Sequence, residues 1–160
     1  MSYKGKFRPK NRHKIIGDPD NIVFRSLLER SYMKYFDSNE SVIRWASEEL
    51  RIPYLSPVDK KMHRYFPDFY VEVKNKDGNI DKYIIEIKPD SQLREPKPPN
   101  TEKQKKRYVK EYATWMINNA KWDAAKQLCE QNDITFKTWS EKTIGMNYNT
   151  PIRKRSKKKA

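Results

Sequence analysis

The sequence is poor in cysteine and has no long apolar run. Its single cysteine, Cys129, cannot form an internal disulfide, and the C-x-x-C spacing of zinc sites is absent. No apolar run approaches the roughly 20 residues that a membrane-spanning helix needs. The first residues, MSYKGKFRPK, lack the apolar segment of a secretory signal. These absences predict an intracellular protein with no part in the membrane.

Acidic residues are missing from both ends of the chain. Residues 1–14 and 151–160 each carry six Lys or Arg residues and no acid. Without these twelve cations the formal net charge of +14 falls to +2. We therefore expect a nearly neutral domain over residues 15–150 between a basic N-terminal arm and a basic C-terminal tail. Such arms commonly neutralise phosphates, although solvated tails are the alternative. The tail cations expected to bind nucleic acid include Arg153, Lys154 and Arg155.

The pattern of turns and apolar residues predicts one α/β domain, a mixed central sheet flanked by helices. GDPDN should start a helix that ends near Phe36, with Asp18 or Asp20 as its cap and Phe24, Leu27, Leu28, Ser31 and Tyr35 on one side. Strands are expected near residues 42–47, 51–55, 65–74, 80–88 and 134–139, and two separate helices near residues 102–118 and 121–133. The proline-rich residues 89–100 should form an irregular loop.

The segment IIEIKPD, residues 84–90, places charged groups in an apolar strand. Alternate side chains of a strand share a face, so Glu86 and Lys88 lie on one face of the strand and Ile85 and Ile87 on the other. If the preceding hairpin turns at KDGN, Asp68 lies within one residue of Glu86 and Lys88 on the neighbouring strand. Directly opposed Cβ atoms are about 4.5–5.5 Å apart. Two carboxylates and a lysine therefore converge.

Two neighbouring carboxylates repel each other unless a cation lies between them. Carboxylate oxygens suit Mg²⁺, which proteins usually hold with one or two carboxylates plus waters and substrate phosphates. Such a metal favours the ionised form of a bound water and stabilises charge on a phosphodiester. The residue types at Asp68, Glu86 and Lys88 therefore fit metal-dependent phosphodiester hydrolysis with Mg²⁺ or Mn²⁺. A surface ion pair between Glu86 and Lys88 is the alternative.

The pair PD at residues 67–68 followed by EIK at residues 86–88 resembles the PD-(D/E)xK nuclease superfamily. With FRSLLERSYMKYF, RYFPDFYV, IIEIKP, WDAAKQLC and ITFK, the chain resembles the catalytic domain of TnsA-type transposon endonucleases over residues 20–140. In size and in these segments it is also similar to the small nucleases that complete the heads of T4-like bacteriophages. The resemblance implies a restriction-endonuclease-like core and a role in head completion or DNA packaging.

Residue roles follow from this resemblance. It implies that Glu29, Asp68, Glu86 and Lys88 are catalytic, that Asp68, Glu86 and Glu29 bind the metal, and that Lys88 acts on the attacking water. Without the resemblance, Glu29 is more simply a solvated or ion-paired helix residue. Gln92, four residues after Lys88, is a candidate to reach the site or a phosphate.

The predicted helix from residue 102 carries a cluster of cations that suits DNA phosphates. Its members are Lys103, Lys105, Lys106, Arg107 and Lys110. The aromatic residues among them, Tyr108, Tyr112 and Trp115, fit core packing better than base stacking. We expect His63 to be an ordinary loop residue and Cys129 to be inert packing.

The sequence thus predicts a metal-dependent DNA endonuclease of the host cytoplasm or the virion. A non-catalytic DNA-binding or portal-associated protein with a nuclease-like fold is one alternative, and an RNA-processing nuclease is another. The expected partners are DNA, a phage portal or head protein and a second copy of the chain, but no membrane.

Overall fold

The computed structural model of the chain describes residues 4–143, which form a four-stranded sheet between two helices. Two short antiparallel ribbons flank this sheet. In chain order the elements are β1 (Gly5–Phe7), β2 (Ile22–Phe24), α1 (Leu27–Ser38), β3 (Val42–Ser47), β4 (Ile52–Leu55), β5 (Met62–Tyr65), β6 (Phe69–Lys74), β7 (Ile80–Ile87), α2 (Glu102–Gln131) and β8 (Thr135–Trp139). Single 3₁₀ turns lie at Arg12–Lys14 and Asp90–Leu93.

The central sheet has the strand order β3-β6-β7-β8 and is mixed. The first three strands pair antiparallel, whereas β7 and β8 pair in parallel. A parallel pair requires a crossover connection, and α2 supplies it. The predicted fold class is therefore confirmed. Within residues 4–143 no helix is both long and apolar enough to cross a membrane.

The two faces of the sheet have separate cores. On the α1 face, Phe36 of α1 packs against Trp45 and Phe69 at ring-centroid distances of 5.8 and 5.1 Å. On the α2 face, Trp122 of α2 packs in one cluster with Ile84 of β7. The remaining members of this second cluster include Ile52, Tyr54, Tyr65, Ala125 and Cys129. The prediction that Cys129 is packing is confirmed, and burial raises the pKa of its thiol to about 11.

The prediction of a basic arm outside the core is wrong for residues 4–14. Strand β1 pairs with β2, and Phe7 is buried in the α1-face core. The buried Lys14 ammonium donates hydrogen bonds to the carbonyl oxygens of Phe36, Asp37 and Asn39 at 3.2, 2.9 and 2.8 Å. These carbonyls belong to the end of α1, where they lack helical partners. Residues 4–14 are therefore part of the domain, because Phe7 packs in its core and Lys14 binds the end of α1.

Helix α1 begins later than predicted. Residues 22–24 form a strand, and the cap is Ser26, whose Oγ accepts the Glu29 N–H at 3.1 Å. Asp20 instead pairs with Arg12 at 2.6 Å. The later start changes the buried side of the helix, which comprises Leu28, Ser31, Tyr32, Met33, Phe36 and Asp37.

Two further boundaries differ from the prediction. The strand expected over residues 65–74 is interrupted at Phe66, Pro67 and Asp68, which separates β5 from β6. Pro67 has no N–H for a ladder hydrogen bond, which explains the break. The two helices expected after residue 102 are one continuous helix of 30 residues, α2. The end of the predicted domain, residues 144–150, and the basic tail lie outside the described residues.

Candidate active site

The β6–β7 hairpin sets the geometry of the charged cluster. Its register pairs Phe69 with Ile85, so the next opposed pair is Asp68 and Glu86. The Ile87 N–H donates a hydrogen bond to Oδ2 of Asp68 at 2.8 Å, which extends the pairing with a side chain. Ile85 and Ile87 belong to the α1-face core, whereas Ile84 belongs to the α2-face core. Asp68 and Glu86 therefore share the α2 face, as the alternation along β7 predicted.

Glu86 is buried, and Asp68 is partly buried beside it. Glu86 is only 6% exposed, and the Tyr65 hydroxyl donates a 2.5 Å hydrogen bond to its Oε1. Burial raises the pKa of Asp68 well above its usual range, and the charges of Glu86 and Glu29 raise it further. Burial also raises the pKa of Glu86, although the Tyr65 hydrogen bond and Lys88 oppose that shift. The cluster thus carries more buried negative charge than its cations offset.

Lys88 lies next to Glu86 at the end of β7. Its Nζ is 3.7 Å from Oε2 of Glu86, and its side chain is 28% exposed. Its backbone N–H donates to the Trp139 carbonyl of β8 at 2.9 Å. The parallel β7–β8 pairing therefore fixes the backbone of Lys88, while its ammonium can reach both the carboxylates and solvent.

Glu29 approaches the cluster from the first turn of α1. Its Oε2 accepts the Arg25 N–H at 3.2 Å, so it also caps its own helix. Burial raises the pKa of Glu29, and the charges of Glu48 and Glu86 add to this shift. Glu48 is paired with Arg25 at 3.0 Å. Glu29 is thus electrostatically part of the site, with a structural role in the helix cap as well.

Two residues near the cluster were missed by the sequence analysis, Tyr65 and Lys121. The Nζ of Lys121 lies 5.8 Å from the ring centres of Tyr54 and Tyr65. Burial lowers the pKa of Lys121, and the like charge of Lys88 lowers it further. A signal existed in the sequence, since Lys121 lies at helical spacing between Asn118 and Ala125 on the buried side of α2.

The donor set suits a hard divalent cation. Asp68 and Glu86 offer carboxylate oxygens on one face, and their mutual repulsion would fall if a cation lay between them. Within residues 4–143, no three Asp, Glu, His or Cys side chains are grouped closely enough to hold a metal ion. A pair of carboxylates is nevertheless sufficient for Mg²⁺, which keeps several waters. The residues present therefore fit a metal site with Asp68 and Glu86 as ligands. A metal-binding role of Glu29 stays a prediction.

The other candidate residues lie away from this cluster or outside the described residues. Lys103, Lys105, Lys106 and Arg107 lie on the exposed N-terminal half of α2, where Lys105 pairs with Glu102 and Arg107 with Glu111. His63 is a strand residue of β5 rather than a loop residue, and it pairs with Asp59 at 2.7 Å. Arg153, Lys154 and Arg155 lie outside the described residues.

Comparison with known proteins identifies the family. The profile of the N-terminal domain of TnsA-like endonucleases matches residues 39–141, which contain the hairpin, Asp68, Glu86 and Lys88. The chain belongs to the TnsA-like endonuclease family. The family and the restriction-endonuclease-like fold predicted from the motifs are thereby confirmed. Glu29 precedes the matched range.

A phage protein is similar to this TnsA-like endonuclease over most of its length. The head completion nuclease of Enterobacteria phage T4 is 38% identical over 143 residues, which cover 88% of this chain and 93% of the phage protein. This similarity therefore extends beyond residues 39–141, the range that matches the family.

Proposed function

We propose that this TnsA-like endonuclease is a divalent-metal-dependent DNA endonuclease whose active site comprises Asp68, Glu86 and Lys88. The observation that carries the proposal is the placement of Asp68 opposite Glu86 on the α2 face of the hairpin, with Lys88 3.7 Å from Glu86. Buried carboxylates with raised pKa values and a specific charge partner are characteristic of functional sites.

Asp68 and Glu86 would hold Mg²⁺ or Mn²⁺. Glu29 is close enough for its carboxylate to interact electrostatically with that of Glu86. The cation supplies charge neutralisation for the phosphodiester and favours ionisation of the attacking water. The chain's own groups position that water. In the hydrolysis, the water oxygen forms a new bond to phosphorus, the P–O bond to the leaving strand end breaks, and the leaving oxygen takes up a proton.

The two lysines of the site have different surroundings, which supports different roles. Lys88 is next to Glu86 and partly open to solvent, so it suits a role in orienting the water and favouring its ionised form. Lys121 is half-buried against two tyrosine rings, so it suits a fixed contact to a phosphate oxygen. Charge-assisted hydrogen bonds to phosphate are strong in such sites.

We further propose that the enzyme acts on DNA during completion of a bacteriophage head, as the name of the T4 protein indicates for that relative. This process would place it in the cytoplasm of the infected host and next to portal or head proteins. One active site per chain cuts one strand, so a second copy or a partner is needed for a duplex break. The exposed cations of α2 and the C-terminal tail would supply affinity for phosphates.

The decisive experiment is cleavage of supercoiled plasmid DNA by the purified protein with Mg²⁺, Mn²⁺ or EDTA. We expect nicked or linear product only with metal, and none from Asp68→Ala. Asp77→Ala, in the exposed turn of the same hairpin, is the matched control and should cut normally. Calorimetry with Mn²⁺ should show weakened metal binding in Asp68→Ala.

Two results would contradict the proposal. Cleavage by Asp68→Ala at the wild-type rate would remove the assigned site. Absence of any cleavage by the wild-type protein, with DNA binding intact, would favour the non-catalytic DNA-binding alternative.

A further inference from the structure

A cleft of about 450 Å³ lies between the loop that follows β7 and the N-terminal half of α2. Its volume is within the roughly 300–1,000 Å³ of small-ligand sites. Residues that line it include Gln92, Arg94, Arg107, Lys110, Trp115 and Asn118. Gln92 is four residues after Lys88, and Asn118 is about one helical turn before Lys121. Each wall of the cleft is therefore close in sequence to one lysine of the charged cluster, Lys88 on one side and Lys121 on the other.

The α2 wall of the cleft carries an amide that faces no partner among the described residues. Asn118 is 7% exposed and lines the cleft, and its side chain makes no hydrogen bond to any residue between 4 and 143. Its amide atoms are not fully enclosed by protein, so a molecule in the cleft can reach them. An amide offers both donors and an acceptor, which matches the mixed edge of a nucleobase.

An aromatic row leads out of the cleft. Trp115 lies 5.6 Å from Tyr112, which lies 5.7 Å from Tyr108, between ring centres. All three side chains are partly exposed and belong to neither core cluster, so the prediction that they are core residues is wrong. No residue of α2 before Ile117 belongs to either core cluster, so the exposed parts of these rings can contact a ligand.

The charges around the cleft fit a phosphate at its rim better than a phosphate inside. Arg94 pairs with Asp90 at 2.5 Å and Arg107 with Glu111 at 2.6 Å, and Glu111 also lines the cleft. Lys110, by contrast, has no ion pair among the described residues and is exposed. A phosphate would therefore contact Lys110, while the neutral base would occupy the space between Trp115 and Asn118.

We propose that this cleft binds an unpaired nucleotide of the DNA, next to the bond that is cut. The inference rests on the proposed DNA endonuclease function and specifies its substrate as DNA with a single-stranded segment. Bases in an intact duplex are stacked and paired, so they cannot reach Trp115 and Asn118. Unpaired bases stack on aromatic side chains with little regard to sequence.

The test measures binding without cleavage. Fluorescence anisotropy in EDTA would compare labelled oligothymidine, about 12 nucleotides long, with a duplex of the same length. We expect Trp115→Ala to weaken single-strand binding at least about five-fold, as loss of one stacked base does. Duplex binding should change less than about two-fold, because phosphate contacts remain. Trp115→Phe should restore most of the single-strand affinity.

Matched variants separate the cleft from general effects. Met116→Ala alters the next residue of α2, which is exposed and outside the cleft, and should change neither affinity. Lys110→Glu should weaken single-strand binding more than Lys106→Glu, although both reverse one exposed charge on the same helix. Because Lys110 is exposed, this second comparison stands even if Trp115→Ala fails to fold.

The proposal is overturned if Trp115→Ala binds oligothymidine as well as wild type, or if it loses affinity for duplex and single strand equally. Equal effects of Lys110→Glu and Lys106→Glu would also reject it. Because binding in EDTA needs no chemistry, these results are independent of plasmid cleavage. A protein that cuts plasmid but fails this test loses only the cleft assignment. One that passes but never cuts loses the nuclease function.

Discussion

Ile85 and Glu86 are neighbours on β7, and both are buried, but they belong to different environments. Ile85 is 0% exposed and packs in the aromatic core beneath α1, whereas Glu86 is 6% exposed and lies with Asp68 on the α2 face. The α1 face buries apolar rings that contact one another. At the same level, the α2 face buries like charges. Packing on the α1 face therefore stabilises the sheet. This stability keeps the mutually repelling carboxylates together on the α2 face.

This difference has a physical meaning for the enzyme. Asp68 and Glu86 can remain side by side because the hairpin between them is fixed by its ladder and by the rigid core on its other face. Their raised pKa values record the free energy that their ionisation costs the folded state. A divalent cation bound by both carboxylates would recover that free energy. Variants on the two faces should therefore have opposite effects on activity and stability.

The largest expected effect is on the charged face. Lys88→Ala should lower the cleavage rate by about 10²–10⁴, the usual contribution of a group that assists proton transfer. DNA affinity should hardly change, because one cation among 35 basic residues contributes little to phosphate binding. Plasmid cleavage and anisotropy measure the two quantities.

Lys82→Ala is the control, because Lys82 lies on the same strand and face but is exposed. Cleavage by Lys88→Ala at the wild-type rate would mean that Lys88 is not the catalytic lysine.

The next effect is on the apolar face. Phe36→Ala should lower the free energy of unfolding by about 3–5 kcal/mol, because it removes a ring that packs against Trp45 and Phe69. Urea unfolding followed by circular dichroism measures it. Phe66→Ala, at a 45% exposed position, should cost less than about 1 kcal/mol. Equal losses from the two variants would contradict the assignment of the core.

Lys121 should show a smaller effect on cleavage than Lys88. Lys121→Met keeps the apolar stem over Tyr54 and Tyr65 but removes the charge. Loss of a charge-assisted hydrogen bond of about 1.5–3 kcal/mol corresponds to a decrease of roughly 10–100-fold in cleavage. Lys126→Met, at an exposed position of α2, is the control. Single-turnover rates for both variants would decide whether Lys121 acts at the site.

Neutralising Asp68 should stabilise the metal-free protein while it abolishes cleavage. The pKa of Asp68 is raised in the folded state, so that state binds more protons than the unfolded chain between the unfolded and folded pKa values. Stability therefore falls as the pH rises through this window and stays lower above it. Asp68→Asn removes this penalty, and we expect a gain of about 0.5–2 kcal/mol at neutral pH.

The gain from Asp68→Asn should shrink as the pH falls to the acidic end of that window. Urea unfolding at several pH values measures it, with Asp77→Asn as the control in the same hairpin. A loss of stability at neutral pH would mean that the Asp68 carboxylate is not under repulsion.

The smallest expected effect is a shift in the pH dependence of cleavage. Because protons and the metal compete for Asp68 and Glu86, raising the Mg²⁺ concentration should move the acidic limb of the rate profile to lower pH. The shift should not exceed about one pH unit per tenfold change in Mg²⁺. An acidic limb that does not move with Mg²⁺ would point to a titrating group outside the metal site.

Local patterns in the sequence determined the part of the site that lies on one hairpin. Alternation along β7 separates Ile85 from Glu86, and the turn at Gly78 fixes Asp68 opposite Glu86 to within one residue. Both rules depend only on backbone geometry and on short chain separation. The family resemblance then predicted nuclease activity, and the family match confirms the family.

Tertiary structure alone decided what is brought to that hairpin from elsewhere in the chain. Lys121 reaches the cluster because α2 runs unbroken across the sheet, and Phe7 is buried because β2 offers a pairing edge. Trp115 stays partly exposed because the part of α2 before Ile117 belongs to neither core cluster. Such contacts depend on how side chains of distant elements fit together, which the local periodicity of a single segment does not encode.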